Sequence, residues 1–175
     1  MKRRRSPRSA RLGLDCFTMV DELLASPTEP APRDVHAVRI SLAREALQLL
    51  RSPETATVTA WSICCMVGNC TETMLRQGLV ADPDGLLQDA FDALKRAACA
   101  VRKPEDPISI PPADFAAVDG MIEDWVAILE QAAARDVVRA FRATDRRIRE
   151  IEAGRTAPDD YAVTVSAAQI MGARL

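Results

Sequence analysis

Apolar residues recur along this chain at intervals of three and four, and prolines and glycines punctuate the runs. That period is the helical one, and it marks out five long stretches. In the first, Asp34 stands as an N-cap for a helix to Arg51, with Val35, Val38, Leu42, Ala46 and Leu49 on the inner face. Ile40, Leu47 and Leu50 widen that face. Ser52-Pro53 restarts the chain, a cap followed by proline at the first helical position. The second helix runs from about Glu54 to Gln77 and closes at Gly78. Trp61, Ile63, Cys64, Cys65, Met66, Val67, Cys70 and Met74 surround its axis, with Glu72 and Arg76 its only charges past the first turn. A helix apolar on all sides belongs at the centre of a bundle.

Asp82-Pro83-Asp84-Gly85 reads as a turn and N-cap for a third helix, to about Lys103, with Leu87, Ala90, Phe91, Leu94, Ala98 and Val101 on one face. Prolines exclude helix from 104 to 112, which reads as a loop extended at Ile108-Ser109-Ile110. Phe115, Val118, Ile122, Trp125 and Leu129 form a 3-4-3-4 series. Carried on, the same series would put Asp136 on the apolar seam. The next clean series, Val137, Phe141, Thr144, Ile148 and Ile151, is one residue out of register, so a break falls at Ala132–Arg135 and separates a fourth helix from a fifth. The fifth ends at Gly154. Leu14, Phe17, Val20 and Leu24 predict a short helix at about 12–25, before the proline-rich loop Ser26–Pro32. Tyr161–Val165 is a strand-like run in an extended tail.

The pattern therefore predicts an all-α fold. It is a helical bundle of about five main helices around a central apolar helix, over residues 12–154. A flexible basic arm (1–11) precedes it and an extended C-terminal tail (155–175) completes the chain. With 175 residues, 48% of them hydrophobic, one domain can bury a substantial core. No run approaches the roughly 18 apolar residues of a membrane span.

The five cysteines are odd in number and form no CxxC pair, which points to free thiols in a reducing cytoplasm. Arg3-Arg4-Arg5 looks like a twin-arginine signal, but Asp15, Asp21 and Glu22 interrupt the segment Leu12–Leu24 that would have to serve as its apolar region, so export is not expected. Cys64, Cys65 and Cys70 sit in the most apolar helix and read as core. The single histidine, His36, begins a helix, with no nucleophile or carboxylate series beside it, and is expected at the surface. With no GxSxG, P-loop, GxGxxG or HExxH motif, the sequence points away from an enzyme, a cofactor or a metal centre.

Charge adds the sharpest feature. The net −2 hides ten basic and six acidic residues in 1–51, four and eleven in 82–130, and eight and six from 131 onwards. Arg135, Arg139, Arg142, Arg146 and Arg149 recur at 4-3-4-3, which places all five within an arc of roughly 80° on a helix. The arc lies opposite the Val137/Phe141/Ile148 seam, so a docked helix would present a guanidinium ridge suited to carboxylates or phosphates. Asp136, Asp145 and Glu150 flank the ridge and can pair with it. Asp119, Glu123 and Glu130 line one flank of the fourth helix as a rival contact surface.

Leu42-Ala43-Arg44-Glu45-Ala46-Leu47 with Leu50-Arg51, a later helix bearing Trp61, Asn69 and Glu72, and a terminal Arg146-Arg147-Ile148 with Ala153-Gly154 form a familiar order. Across residues 38–155 the chain resembles small all-helical accessory proteins of proteobacterial temperate phages and integrative elements. It departs from them in lacking a Trp/Gly turn at Pro107–Pro112, and in having Ala134 where a capping serine stands. The resemblance supplies no catalytic residues; it implies an accessory factor such as an inhibitor of host defence or a regulator. The expectation is a non-enzymatic protein that binds a protein complex, for example a CRISPR-type nuclease. Nucleic-acid binding through the basic arm and the arginine ridge is the alternative, and the 3-4 seams leave pairing with a second copy open.

Overall fold

A computed structural model describes residues 17–81, 85–101, 103 and 106–155. Within these residues six helices succeed one another: α1 (Met19–Leu24), α2 (Arg33–Leu49), α3 (Val58–Arg76), α4 (Leu86–Ala100), α5 (Phe115–Gln131) and α6 (Ala134–Glu152). The fold is all-α, and among the described residues there is no strand. The basic arm at 1–11 and the strand-like run Tyr161–Val165 lie outside the described residues.

The helix with apolar residues all round is the central one. α3 packs against α2, α4, α5 and α6, and from Ala60 to Met74 every residue but Ser62 and Met66 is buried. Trp61 is wholly buried, and its indole N–H donates to the Leu94 carbonyl at 3.0 Å, which offsets the cost of burying that donor. Gly68 allows the closest approach. A Cβ there would lie 2.6 Å from Cε1 of Phe91, so the missing side chain lets the ring sit against the α3 backbone. Ile108 and Ile110, from the loop after α4, are buried in the same core, and the Ile110 N–H donates to the Leu50 carbonyl at 2.9 Å.

The α5–α6 break falls where the apolar series slips. Ala132 (φ −74°, ψ 149°) and Ala133 (φ −57°, ψ 135°) are both extended and turn the chain between helices. Other boundaries differ from the sequence expectation. α2 starts at Arg33 with Pro32 in the cap position, and Asp34 lies inside its first turn, where a carboxylate still complements the helix dipole. α3 starts four residues later than Glu54. Ser52–Ala56 is spent on a turn in which the Thr55 and Ala56 N–H groups donate to the Ser52 carbonyl, and Thr57 then caps by accepting from Ala60 N at 3.1 Å. α4 stops at Ala100 rather than Lys103, because Val101 turns extended (ψ 118°) and puts its side chain into the core.

The inner face of α2 is also corrected. Val35, Val38 and Leu49 are exposed, whereas His36, Ala43, Ala46, Leu47 and Leu50 are buried. His36, Ile40, Ala43, Leu47 and Leu50 form a second 4-3-4-3 stripe, and small Ala43 and Ala46 let α2 approach α3 closely. His36, expected at the surface, is 3% exposed.

Candidate interaction surface

α6 docks by its apolar stripe. Val137, Val138, Ala140, Phe141, Thr144 and Ile151 are buried, and Phe141 meets Trp125 of α5 at 6.3 Å between ring centroids. The arginines occupy the other side, but the ridge is not bare. The Arg139 Nε donates to Glu22 Oε1 at 3.2 Å, and Arg142 donates to Glu22 Oε2 in a close ion pair. The Arg135 guanidinium reaches the Leu23 carbonyl at 3.4 Å. Three of the five arginines thus carry α1, a covering the helical spacing of the ridge does not reveal. Asp136 also accepts from Arg139 at 3.3 Å, and Asp145 pairs with Arg149 at 2.7 Å. Arg146 is exposed.

α1 is amphipathic the opposite way round from an ordinary surface helix. Its carboxylate Glu22 turns inward, while Met19 (63% exposed), Val20 (60%), Leu23 (70%) and Leu24 (81%) face out. A capping box starts it: Asp21 N–H donates to Thr18 Oγ1, and Thr18 N–H donates to the Asp21 carboxylate. Just before it, Phe17 packs edge-on against Phe141 at 5.4 Å between centroids, under the Arg39 guanidinium at 4.6 Å. The hydrogen bond from Arg139, and then that from Arg142, hold the Glu22 carboxyl below the usual carboxylate range.

The turn after α1 supplies what the N-terminus of α6 lacks. Ala133 has no capping side chain, yet Ala134 N–H donates to the Glu29 carbonyl and Arg135 N–H to the Ser26 carbonyl, both at 2.9 Å. Two orphan donors of the first turn are thereby satisfied by a distant loop.

The acidic residues of α5 stand apart from this surface. Asp119 and Glu130 are exposed, and Glu123 takes both its hydrogen bonds from Arg44 of α2 at 3.0 and 2.8 Å, not from the arginines of α6. The structure therefore does not join the two expected contact surfaces into one.

Sequence reasoning missed a buried ion pair. Glu72, 2% exposed, accepts from Arg147 Nη1 at 2.7 Å and from Arg76 Nη2 at 2.7 Å. Beside it, the Thr144 hydroxyl lies 2.8 Å from that of Thr73, which donates to the Asn69 carbonyl, so a polar seam joins α3 to α6. Two exceptions signal it: Glu72 is the lone carboxylate of the apolar helix, and Arg147 is the arginine out of step with the ridge.

Cys64, Cys65 and Cys70 are buried as core residues, and burial pushes the Cys64 thiol up to about 12. Among the described residues no group of three His, Cys, Asp or Glu side chains is placed to hold a metal ion. A shallow depression beside Thr71, Leu75, Leu87, Met121 and Asp124 is open to solvent. No helix of the described residues is long and apolar enough to cross a membrane. No family model matches the chain, and neither a curated protein nor a solved structure does.

Proposed function

We propose that this chain is a non-enzymatic interaction protein that docks on a protein complex through the face formed by α1 and α6. One observation carries the reading: α1 turns its carboxylate inward and four large apolar side chains outward. Apolar groups clustered on one short helix are what a partner buries, and arginine is enriched in such interfaces. The surface suits a partner that is apolar at the centre of the contact and acidic at its rim. The likeness of the Leu42–Leu47 and Trp61 segments to accessory proteins of phages and integrative elements supports a host protein complex as that partner, a defence system of the CRISPR type being one example.

The reading is tested by affinity capture from cells that carry the gene, with wild type, Leu23→Ser plus Leu24→Ser, and Arg96→Ala on α4 as control. Both leucines are exposed, so the double variant should melt like wild type. It is expected to lose the captured complex at least tenfold while the control retains it. Retention of the same complex by the double variant would remove α1 from the interface. Salt-sensitive recovery of nucleic acid in place of protein would replace the reading with phosphate binding.

A further inference from the structure

We infer that Glu22 is an internal ligand: Arg139 and Arg142 form a carboxylate-recognition site that α1 keeps shut and that an acidic side chain of the docking partner takes over when α1 lifts. The two oxygens of Glu22 are divided between guanidiniums one helical turn apart, and Arg135 holds the neighbouring Leu23 carbonyl. This is how arginines grip a foreign carboxylate; here the carboxylate comes from the same chain.

Apart from Phe17, which packs on Phe141 under Arg39 just before the helix, the grip is what attaches α1. The helix is six residues long and buries none of them, and a helix that short does not persist without tertiary contacts. Arg139 is half exposed, so its pair with Glu22 is weak and screened by salt, and the less exposed Arg142 pair is the one that α1 gives up when the closed state exchanges with the open one. The path to opening is also built in. Ala25 is extended (φ −70°, ψ 145°) and separates α1 from the Ser26–Glu29 turn. The Ser26 and Glu29 carbonyls can stay on the α6 N–H groups while α1 swings away, and the contact given up beside the grip is that of Phe17 on Phe141.

The surroundings favour a protein carboxylate over a nucleic-acid backbone. Asp136 lies against Arg139 and Asp145 against Arg149. A single carboxylate fits between these acids, whereas a row of phosphates along α6 would run past both. The inference rests on the proposed docking face for its biological partner, but its test does not need that partner.

The test uses the full chain with labelled hexaglutamate as probe. Opening predicts that Glu22→Gln binds hexaglutamate about tenfold tighter than wild type, because the competing carboxylate is gone and the competent state is more populated. Amide exchange at residues 19–24 should quicken at least tenfold in this variant, with no change in α3. Adding Arg139→Gln and Arg142→Gln should abolish the gain, and melting curves establish that these variants are folded. Equal binding by wild type and Glu22→Gln overturns the inference, as does a gain that survives loss of both arginines. Tighter binding of a ten-nucleotide single strand than of hexaglutamate overturns the carboxylate assignment. Failure here with loss of the host complex in Leu23→Ser plus Leu24→Ser leaves the docking face standing and removes only the latch.

Discussion

His36 is the chain's one histidine, and among the described residues neither of its buried ring nitrogens has a hydrogen-bond partner. Burial, reinforced by the Arg39 cation one turn along, disfavours the imidazolium and lowers its pKa below 6.5. The unfolded chain therefore binds a proton that the folded chain refuses. The stability His36 permits is complete above its unfolded pKa and is lost as the pH falls from about 6.5, at no more than about 1.4 kcal/mol per pH unit. Urea unfolding at pH 7.5, 6.0 and 5.0 should show this decline in wild type and a flatter response in His36→Leu. Further loss in both should begin only lower, where Asp114, held down by Arg96, and Glu22 take up protons. His36 shows what single residues conceal. Trp61, Phe91 and Trp125 were legible as core because size and apolarity decide their burial wherever they fall. The burial of His36 and Glu72 depends on what another helix places over them, and for Glu72 that is Arg147, 75 positions away.

Helices were legible as elements because period and punctuation are local properties. The slip from the Leu129 series to the Val137 series located the α5–α6 break, and Gly78 and Gly154 mark helix ends. Orientation about the axis was less legible. α2 carries two stripes of nearly equal merit, and the choice falls to the one with Ala43, Leu47 and Leu50 buried toward the core, with only Ala46 of the other stripe buried beside it, a preference that belongs to the pair of helices. Caps failed for a similar reason. Nothing near Ala133 announces that Ser26 and Glu29 will close α6. This yields a test: Ala133→Ser, ordinarily worth about 1 kcal/mol as an N-cap, should add less than about 0.5 kcal/mol here, since of the donors it could serve the Arg135 N–H is held by Ser26 and the Asp136 N–H by the Ala133 carbonyl. A thermal melt reads the difference. A full-sized gain would mean that the Ser26–Glu29 turn does not hold the Arg135 N–H in solution.

At the scale of the molecule, α2, α4 and α5 pack around α3, and α6 is laid on α3 as well. The Glu72–Arg147 pair and the threonine seam fasten that last layer. Glu72→Ala removes the buried carboxylate that Arg147 and Arg76 share, and is expected to cost about 3 kcal/mol. The urea midpoint should fall with an unchanged slope, and Glu72→Leu with Arg147→Met should recover much of the loss. The arginine ridge was legible as a pattern, but its state was not, because helical spacing reports which side chains share a face and says nothing of a segment returning to cover them. That return also orders events in time. Arg135 and Leu23 are 112 positions apart, and Arg142 and Glu22 are 120 apart. During synthesis α1 leaves the ribosome with no place to settle, and its four outward apolar side chains find no mooring until α6 has been made. Contacts of such long range form late, so α1, translated well before α6, is among the last of the described helices to come to rest, and the nascent chain passes that interval with the helix adrift.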